Sequence, residues 1–480
     1  MTMKQILALT AAVLMFVTLC GGCGKSGKGW STDGTKLLNP ELEPDPVDFG
    51  GQEFLVVDFN SGRWQRQESS NPYNDAWQRV LDNVEQKFNC TINFHGVSPG
   101  GALEEAQPEV MAGERYCDIL CATQWHFGQL LGADLMLDLN QLNTNWEAIW
   151  WNQNIRRIAT LRGNTFAANG SFIFDAAQTW LINFNRDMWD ELDLPDPYEI
   201  VENGEWTIDL LLQYSKKALL DRDGNGNVDT IDDRWGITAA DGDFARSLYM
   251  AAGNHYFIER DGRLEMDCQG SKTFDFVAKM RKLVKEDKSM ADDYVKFENE
   301  AARAQWFINN GSLFYAYMPG SSALRDMEAD WGVLPMPKAD KEQESYMSGV
   351  DHNATVFGVT KTLAGDQAQM EKVGILLDAL GYYALELERI YWPDYVETYW
   401  RDERDGDIVA KHVAKTGQYD MALIMSNVNP VFGTPVGMVF GTMFGSTTDF
   451  SSAVEMRKEQ VNVALDKFFA DLDREGGFGS

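Results

Sequence analysis

Long hydrophobic runs are nearly absent from this 480-residue sequence. The single apolar stretch, residues 6–19, is shorter than the roughly 20 residues that a membrane-spanning helix needs. It follows one positive charge, Lys4, and precedes small residues and a cysteine, a pattern typical of a secretory signal peptide. We therefore expect an exported protein that does not span the membrane.

Positive charge is also scarce, because 42 lysines and arginines face 73 aspartates and glutamates and leave a net charge of -31. Such a charge repels nucleic acid and anionic lipid surfaces, which argues against both as partners. We interpret it as a source of solubility. A hydrophobic content of 44% excludes a disordered chain. The roughly 455 residues that follow the signal are enough for two or three domains.

Cysteine is rare, and only four of the six lie beyond residue 23. Cys117 and Cys121 flank the apolar segment DIL, which reads as a buried strand. Residues four apart in a strand are separated by about 13 Å, too far for a disulfide. The sequence therefore predicts buried thiols at these two positions and leaves Cys90 and Cys268 open.

The end of the signal resembles the lipidation site of bacterial lipoproteins. Cys23 follows Gly21 and Gly22, where a signal peptidase of that system would cut before the cysteine. This resemblance implies a signal peptide at 1–22 and acyl chains on Cys23 that anchor the protein to the cell membrane. Residues 23–48 are polar and punctuated by glycine and proline, which is typical of a flexible tether.

The stretch DRDGNGNVDTIDD, residues 221–233, has the spacing of a calcium-binding loop. Oxygen-bearing side chains fall at loop positions 1, 3 and 5, a glycine at 6 and a carboxylate at 12. The carboxylate at position 12 is an aspartate instead of the glutamate of an EF-hand, and this resembles the loops of dockerin modules. The alternative is a solvated turn without an ion. The predicted Ca²⁺ ligands are Asp221, Asp223, Asn225, Asn227 (through its carbonyl) and Asp232.

From residue 52 the pattern alternates strand and helix in the order β-α-β-α-β. This order predicts a parallel sheet with helices on both faces and ligands beyond the carboxyl ends of its strands. The loops NSGRW and ATQWHF follow the first and third strands, so we expect Trp64 and Trp125 at the edge of a cleft. Flat aromatic faces suit the C–H faces of sugar rings. Most of the 15 tryptophans are nevertheless expected in the core.

Several segments together resemble the extracellular solute-binding proteins of family 1, the receptors that feed ABC transporters. They are CDILCATQWHFGQLLGADLMLDL, WLINFNRDMWDELDLPDP, EWTIDLLLQYSKKALLDRDGNGNVDT, WFINNGSLFYAYMPGSSA, WGVLPMPK and HNATVFGVTKTL, in family order over about residues 50–390. The resemblance implies a two-lobe α/β fold of the type II periplasmic binding proteins. Lobe I would comprise 49–184 and 351–391, and lobe II would comprise 185–350 and 392–480 with a helical C-terminal part.

The resemblance also implies which residues line the ligand. They are Gln124, Trp125, Asp241, Phe244, Gly320, Ser321, His352, Asn353 and, from the helical part, Trp392. His352 could equally be a buried, hydrogen-bonded histidine.

Three classes of function remain to be compared. The first is a monomeric receptor that closes two lobes on a carbohydrate and delivers it to an ABC permease. The second is a secreted glycoside-degrading enzyme, but no acidic residue stands in a recognisable catalytic context, and G-x-S-x-G, H-E-x-x-H and P-loop patterns are absent. The third is a dockerin-like surface module, which would need a second calcium loop. The sequence favours the non-enzymatic receptor.

Overall fold

A computed structural model describes residues 38–60, 64, 72–173, 178–260, 263–319, 322–414, 416–445 and 449–474. Within these ranges, the side chains of residues 241, 322, 388, 392–399 and 471–474 are not described. The predicted signal peptide and Cys23 lie outside the described residues. None of the helices in the described ranges combines the length and the apolar character that a membrane span requires.

The strands are β1 (Gln52–Asp58), β2 (Cys90–Gly96), β3 (Ile119–Thr123), β4 (Thr160–Leu161), β5 (Asn164–Thr165), β6 (Leu181–Asn185), β7 (Trp235–Ala239), β8 (Phe257–Arg260), β9 (Arg263–Met266), β10 (Ser312–Tyr317), β11 (Trp331–Pro335), β12 (Ser348–Gly349), β13 (Thr355–Gly358) and β14 (Gly417–Gln418). The helices are α1 (Pro72–Phe88), α2 (Gly101–Met111), α3 (Gln124–Gly132), α4 (Gln153–Ile158), α5 (Arg186–Glu191), α6 (Pro197–Glu202), α7 (Ile208–Lys217), α8 (Asp241–Ala251), α9 (Ser271–Arg281), α10 (Glu300–Ile308), α11 (Gln367–Tyr399), α12 (Glu403–His412), α13 (Met421–Val428), α14 (Thr434–Phe444) and α15 (Phe450–Arg474).

The first sheet has the order β13-β3-β1-β2. Strand β1 runs parallel to β2 and to β3, with Val56 opposite Ile119, and β13 joins β3 in the antiparallel sense. The predicted β-α-β-α-β unit is therefore confirmed. Helix α1 places Trp77, Val80 and Val84 in the core, as its 3.6-residue apolar period predicts.

The second sheet has the order β11-β6-β10-β7. Strands β7 and β10 are parallel, whereas β6 is antiparallel to both β10 and β11. The carboxyl ends of β7 and β10 consequently lie at one edge of the sheet. We call the parts of the chain built on the first and second sheets the first and second lobes.

Two crossover segments, residues 178–181 and 349–355, connect the lobes side by side. Trp180 N donates to Gly349 O at 3.0 Å, and Asp351 N donates to Gln178 O at 2.8 Å. Thr179 and Val350 form an antiparallel bridge between these bonds. The connection is thus a short ribbon of paired backbone.

The helices near the C-terminus alternate between the lobes. Helix α11 packs on α1 of the first lobe, and α12 packs on β11 of the second. Helix α13 packs on α3 of the first lobe, and α14 and α15 return to α9 and β9 of the second. The position of α13 departs from the expectation that the tail packs mostly on lobe II. Glycines in α3 allow this close approach of the two backbones.

The four cysteines of the described residues are buried. Cys117 and Cys121 are buried thiols, as predicted, and so are Cys90 and Cys268, which the sequence left open. Burial raises the pKa of Cys90 to about 11 and that of Cys268 to about 12.

Candidate functional site

A cavity of about 300 Å³ lies beyond the carboxyl end of β7 in the second lobe. It is a modest size, at the lower end of the range for small-molecule sites. Its wall combines the segment that follows β7 with a loop that precedes α10. The lining residues are Ala240, Gly242, Asp243, Asp292, Val295, Lys296, Phe297 and Arg303.

A buried ion pair forms the floor of this cavity. Arg303 Nε donates to Asp292 Oδ1 at 2.7 Å, and Asp292 Oδ2 accepts from Thr238 Oγ1 and Ala239 N, both at 2.8 Å. Burial raises the pKa of Asp292, although the charge of Arg303 and the hydrogen bonds oppose that rise. The guanidinium lies 5.3 Å from the ring centre of Phe297. These contacts fix Arg303 in one orientation.

A second polar group joins the cavity to the crossover. His352 Nδ1 lies 3.1 Å from Asp243 Oδ1 and 3.5 Å from Asp351 Oδ1. The hydrogen bond to Asp243 raises the pKa of His352, with burial opposing it. Burial would raise the pKa of Asp243, but His352 and Arg246 together hold it at about 2. The imidazole thus connects a carboxylate of the second lobe to one of the crossover.

Asp243, Asp351 and His352 bring three possible ligand atoms within 4.8 Å of one another. The guanidinium of Arg246 lies 2.8 Å from the same oxygen of Asp243, which disfavours a bound cation there. Asp351 belongs to the same network, since it accepts from Trp180 Nε1 at 3.2 Å and from Asn353 N at 3.0 Å. We therefore interpret these residues as a hydrogen-bonded network that recognises polar groups.

On the first lobe, the first turn of α3 faces the crossover. Gln124 is fully buried, donates through Nε2 to Asp351 O at 2.7 Å and accepts from Asp420 N at 3.4 Å. The predicted role of Gln124 as a ligand contact is wrong in this structure, because both ends of its amide bond to protein. Trp125 is 39% exposed and keeps a free ring surface.

Two further predicted ligand contacts have no free surface. Trp64 is 2% exposed, donates through Nε1 to Asp58 Oδ2 at 2.7 Å and packs edge-on against Trp77 at 5.3 Å. Phe244 is 0% exposed, because the helical period of α8 turns it into the core while Asp243 points to the cavity. The prediction that these rings contact ligand is therefore wrong.

The remaining predicted residues are placed as follows. His352 borders the cavity through Asp243, and Asn353 donates through Nδ2 to Asp351 Oδ1 at 3.1 Å. The structure does not describe the side chains of Asp241 and Trp392, and Gly320 and Ser321 lie outside the described residues.

Sequence reasoning missed most of the cavity. The segment ADDYVKFENEAARAQ reads as a solvated charged face, and no local pattern marks Asp292 or Arg303. These residues reach the cavity because Met290 forms a bridge to Ile237 of β7.

Tyr317, at the end of β10, is half-buried. Burial is the main cause that raises the pKa of its hydroxyl, and the negative charges of Glu300 and Asp351 raise it further.

The predicted calcium loop folds around its first two aspartates. Asp221 accepts from Gly224 N and Gly226 N, both at 2.7 Å, and Asp223 accepts from Asn225 N at 2.9 Å. Gly226 has a φ of +91°, which only glycine adopts readily. The loop is therefore a tight turn with converging carboxylates.

The third carboxylate in this loop is Asp233 instead of the predicted Asp232. Oxygens of Asp221, Asp223 and Asp233 lie within 4.8 Å of one another, and Asp232 is exposed. The backbone N–H groups of Arg222 and Thr230 donate to the carboxylate of Asp233 at 3.0 and 2.9 Å and hold it inside the loop. Although burial opposes them, hydrogen bonds led by that of Thr230 lower the pKa of Asp233 to about 2. An ionised carboxylate is what a hard cation requires.

Comparison with known proteins relates the chain to sugar-binding receptors by fold. No family model and no curated protein matches the sequence. Among solved structures, an ABC substrate-binding protein from Listeria monocytogenes in complex with cycloalternan has a TM-score of 0.54 at 13% identity, over 87% of this chain and 99% of that chain. The cyclic α-maltosyl-1,6-maltose binding protein from Arthrobacter globiformis has a TM-score of 0.57 at 10% identity, over 87% and 100%.

A third similar structure is the ABC transporter associated binding protein from B. animalis subsp. lactis in complex with β-1,6-galactobiose. Its TM-score is 0.51 at 15% identity, over 89% of this chain and 99% of that chain. These matches cover nearly the whole length of each neighbour. The predicted two-lobe α/β fold of the family 1 solute-binding proteins is therefore confirmed.

Proposed function

We propose that this chain, which has the fold of the extracellular solute-binding proteins of family 1, is a non-enzymatic receptor that binds a carbohydrate between its lobes and delivers it to an ABC permease. The observation that carries the proposal is a polar cavity beyond the carboxyl end of β7, the edge of an α/β sheet at which ligands bind. Of the three similar structures, two are described as ABC binding proteins and the third as a binding protein for a cyclic maltosyl-maltose. A monomer that closes around its ligand suffices for this role.

The chemistry of the cavity supports a ligand rich in hydroxyl groups, such as a sugar. Asp243 and Asp292 are each paired with a cation, through Arg246 and Arg303 respectively. These charged groups, together with the ammonium of Lys296, offer strong hydrogen bonds to hydroxyl groups. Phe297 in the cavity wall supplies an aromatic face for sugar C–H groups, and we propose that the exposed Trp125 of the first lobe supplies a second one.

An enzymatic role as a glycosidase is the weaker alternative. Such an enzyme needs a carboxylic acid that is still protonated near neutral pH beside a second carboxylate. Asp243, the partly exposed carboxylate of the cavity, has a pKa of about 2 and cannot serve as that acid. Asp292 is buried, and its two oxygens accept from Arg303, Thr238 and Ala239. We therefore propose binding and release without a covalent step.

We also propose that Cys23 carries the lipid anchor and that the protein works outside the cytoplasm at the cell membrane. The support is the run of glycines and cysteine at the end of the signal-like stretch. Metabolic labelling with palmitate should mark the full chain and fail to mark a Cys23→Ser variant. Equal labelling of both would remove the anchor from the proposal.

A structural Ca²⁺ in the loop 221–233 completes the proposal. Asp221, Asp223 and Asp233 would supply carboxylate oxygens, and the ion would neutralise their mutual repulsion. The loop lies between α7 and β7, so a bound ion would fix the start of the strand that leads to the cavity.

A thermal-shift screen against mono- to hexasaccharides tests the receptor function, because a ligand that binds only the folded form raises the melting temperature. The best sugar is then titrated calorimetrically against Asp243→Asn and against Asp275→Asn on the exposed face of α9. We expect Asp243→Asn to weaken binding at least about tenfold, the typical cost of a charge-assisted hydrogen bond. We expect Asp275→Asn to bind as the unmodified chain does.

A panel without any stabilising sugar would overturn the receptor proposal. Equal affinities for the two variants would move the binding site away from the cavity. Reducing ends that accumulate in proportion to the protein through purification would instead favour the enzyme.

A further inference from the structure

Helix α13 and helix α3 touch backbone to backbone. A Cβ atom added at Gly128 would lie 1.8 Å from the carbonyl oxygen of Ile424, and one at Gly132 would lie 3.2 Å from the Cα of Val428. Any side chain at Gly128 would therefore separate the helices. The buried side chains of α13 include Ile424 and Met425, which complete the apolar contact.

Hydrogen bonds add two connections between α13 and the first turn of α3. Asn427 Nδ2 donates to the carbonyl of Trp125, and Asp420 N, at the N-cap of α13, donates to Gln124 Oε1 at 3.4 Å. Together they hold both residues of the turn that carries the exposed tryptophan. The backbone of Trp125 is thus held by α13.

The next helices are fixed to the second lobe. Arg281 of α9 donates to Thr442 O of α14 at 2.6 Å, and Arg263 of β9 pairs with Asp466 of α15 at 2.7 Å. Between α13 and α14 lies only the short segment 429–433, a single 3-10 turn that contains Pro430. Its Phe432 is buried and lies edge-on to Phe468 of α15, with ring centres 5.9 Å apart. The chain therefore passes from one lobe to the other at this segment.

Further contacts of the C-terminal helices cross between the lobes, and two of them are the following. The charges of Asp420 and Arg246 interact beside the crossover ribbon, where relative displacement of the lobes is smallest. Arg162 of the first lobe lies 4.5 Å from the ring centre of Phe469 in α15, as one exposed cation–π contact. Neither contact matches the close packing of α13 on α3.

We infer that α13 moves as part of the first lobe and positions the backbone of Trp125 when the lobes move. This inference rests on the lobe closure of the proposed function. It treats Asn427 as a positioning residue, since it acts on the ligand only through Trp125.

Distances between spin labels on the ligand-free full chain test it. Cysteines would replace Met111 on α2, Ser426 on α13 and Ala278 on α9, in a background in which Cys20 and Cys23 are serine; the four remaining cysteines are buried. We expect a narrow distance distribution for 111–426 and broader ones for 426–278 and 111–278. A distribution for 426–278 as narrow as or narrower than that for 111–426 would overturn the inference.

Two glycine variants provide the matched comparison. Gly128→Ala should broaden the 111–426 distribution, because its Cβ collides with Ile424 O, whereas Gly437→Ala in α14 meets no atom within 4 Å and should leave it unchanged. Asn427→Ala should broaden it less than Gly128→Ala does and should weaken binding of the best sugar from the screen. Unchanged widths in both Gly128→Ala and Asn427→Ala would refute the positioning role. These widths are measured without sugar, so a failed sugar screen is distinguishable from a failed inference.

Discussion

At the scale of single residues, Trp64 and Trp125 look alike in the sequence, because each lies beyond a parallel strand of the first lobe. The residues that surround the two rings in the folded chain differ. Trp64 meets Asp58 and Trp77 and is enclosed, whereas Trp125 keeps 39% of its surface exposed. The sequence predicts where each loop begins, but enclosure depends on side chains that arrive from other elements. This is why ring positions could be predicted and ring exposure could not.

Substitution of the two tryptophans should give opposite results. Trp125→Ala should weaken sugar binding at least about tenfold and leave the melting temperature nearly unchanged, because a stacking face is lost without a core cavity. Trp64→Ala should lower the free energy of unfolding by about 3–5 kcal/mol, the cost of a large void. Calorimetry and melting curves on both variants check this. Strong destabilisation by Trp125→Ala with unchanged affinity would assign that ring to the core.

His352 should make stability depend on pH. Its pKa is raised by Asp243, so the protonated imidazole stabilises the folded state below the unfolded pKa of about 6.5, and this contribution is lost as pH rises through the higher folded value. The contribution of His126 to the pH dependence of stability has the opposite sign, because burial and the nearby His352 lower its pKa.

Melting curves at pH 6 and pH 8.5 measure the difference. The unmodified chain should lose more stability across this interval than His352→Gln does. His95→Gln, at an exposed histidine of β2, is the control and should behave as the unmodified chain. Identical pH profiles for all three proteins would exclude His352 as the titrating group.

At the scale of elements, the loop 221–233 should couple calcium to the stability of the second lobe. Chelation should lower the melting temperature, and Asp221→Ala should abolish the response to added Ca²⁺ because it removes a converging carboxylate. Asp232→Ala is the matched control: its side chain is exposed, so it should retain the response. A chelated protein that melts like the calcium-loaded one would leave the loop as a turn only.

Elements were predictable where their signals are local. The apolar period of α1 and the alternation of strands with helices follow from short-range patterns and predicted the first sheet. The choice of Asp233 over Asp232 depends on hydrogen bonds from Arg222 and Thr230, which a count of loop positions does not contain. The antiparallel entry of β6 between β10 and β11 was likewise not predictable from the sequence.

At the scale of the whole molecule, the order of weak motifs was sufficient to predict two lobes. The contact of α13 with α3 was not predictable, because it joins residues about 300 positions apart and is permitted by two glycines, Gly128 and Gly132. The cavity has the same origin, since Asp292 and Arg303 approach β7 only in the folded chain. Fold could thus be inferred from motif order, whereas the site required tertiary structure.

The four buried thiols carry a consequence for the lifetime of the molecule. Thiolates, not thiols, react with oxidants, and the high pKa values of Cys90 and Cys268 leave almost no thiolate at neutral pH. These sulfurs are therefore oxidised only after the chain unfolds and exposes them to solvent. The rate at which a thiol reagent modifies these cysteines therefore measures the unfolding rate of each lobe. Cys90, Cys117 and Cys121 report on the first lobe, and Cys268 reports on the second.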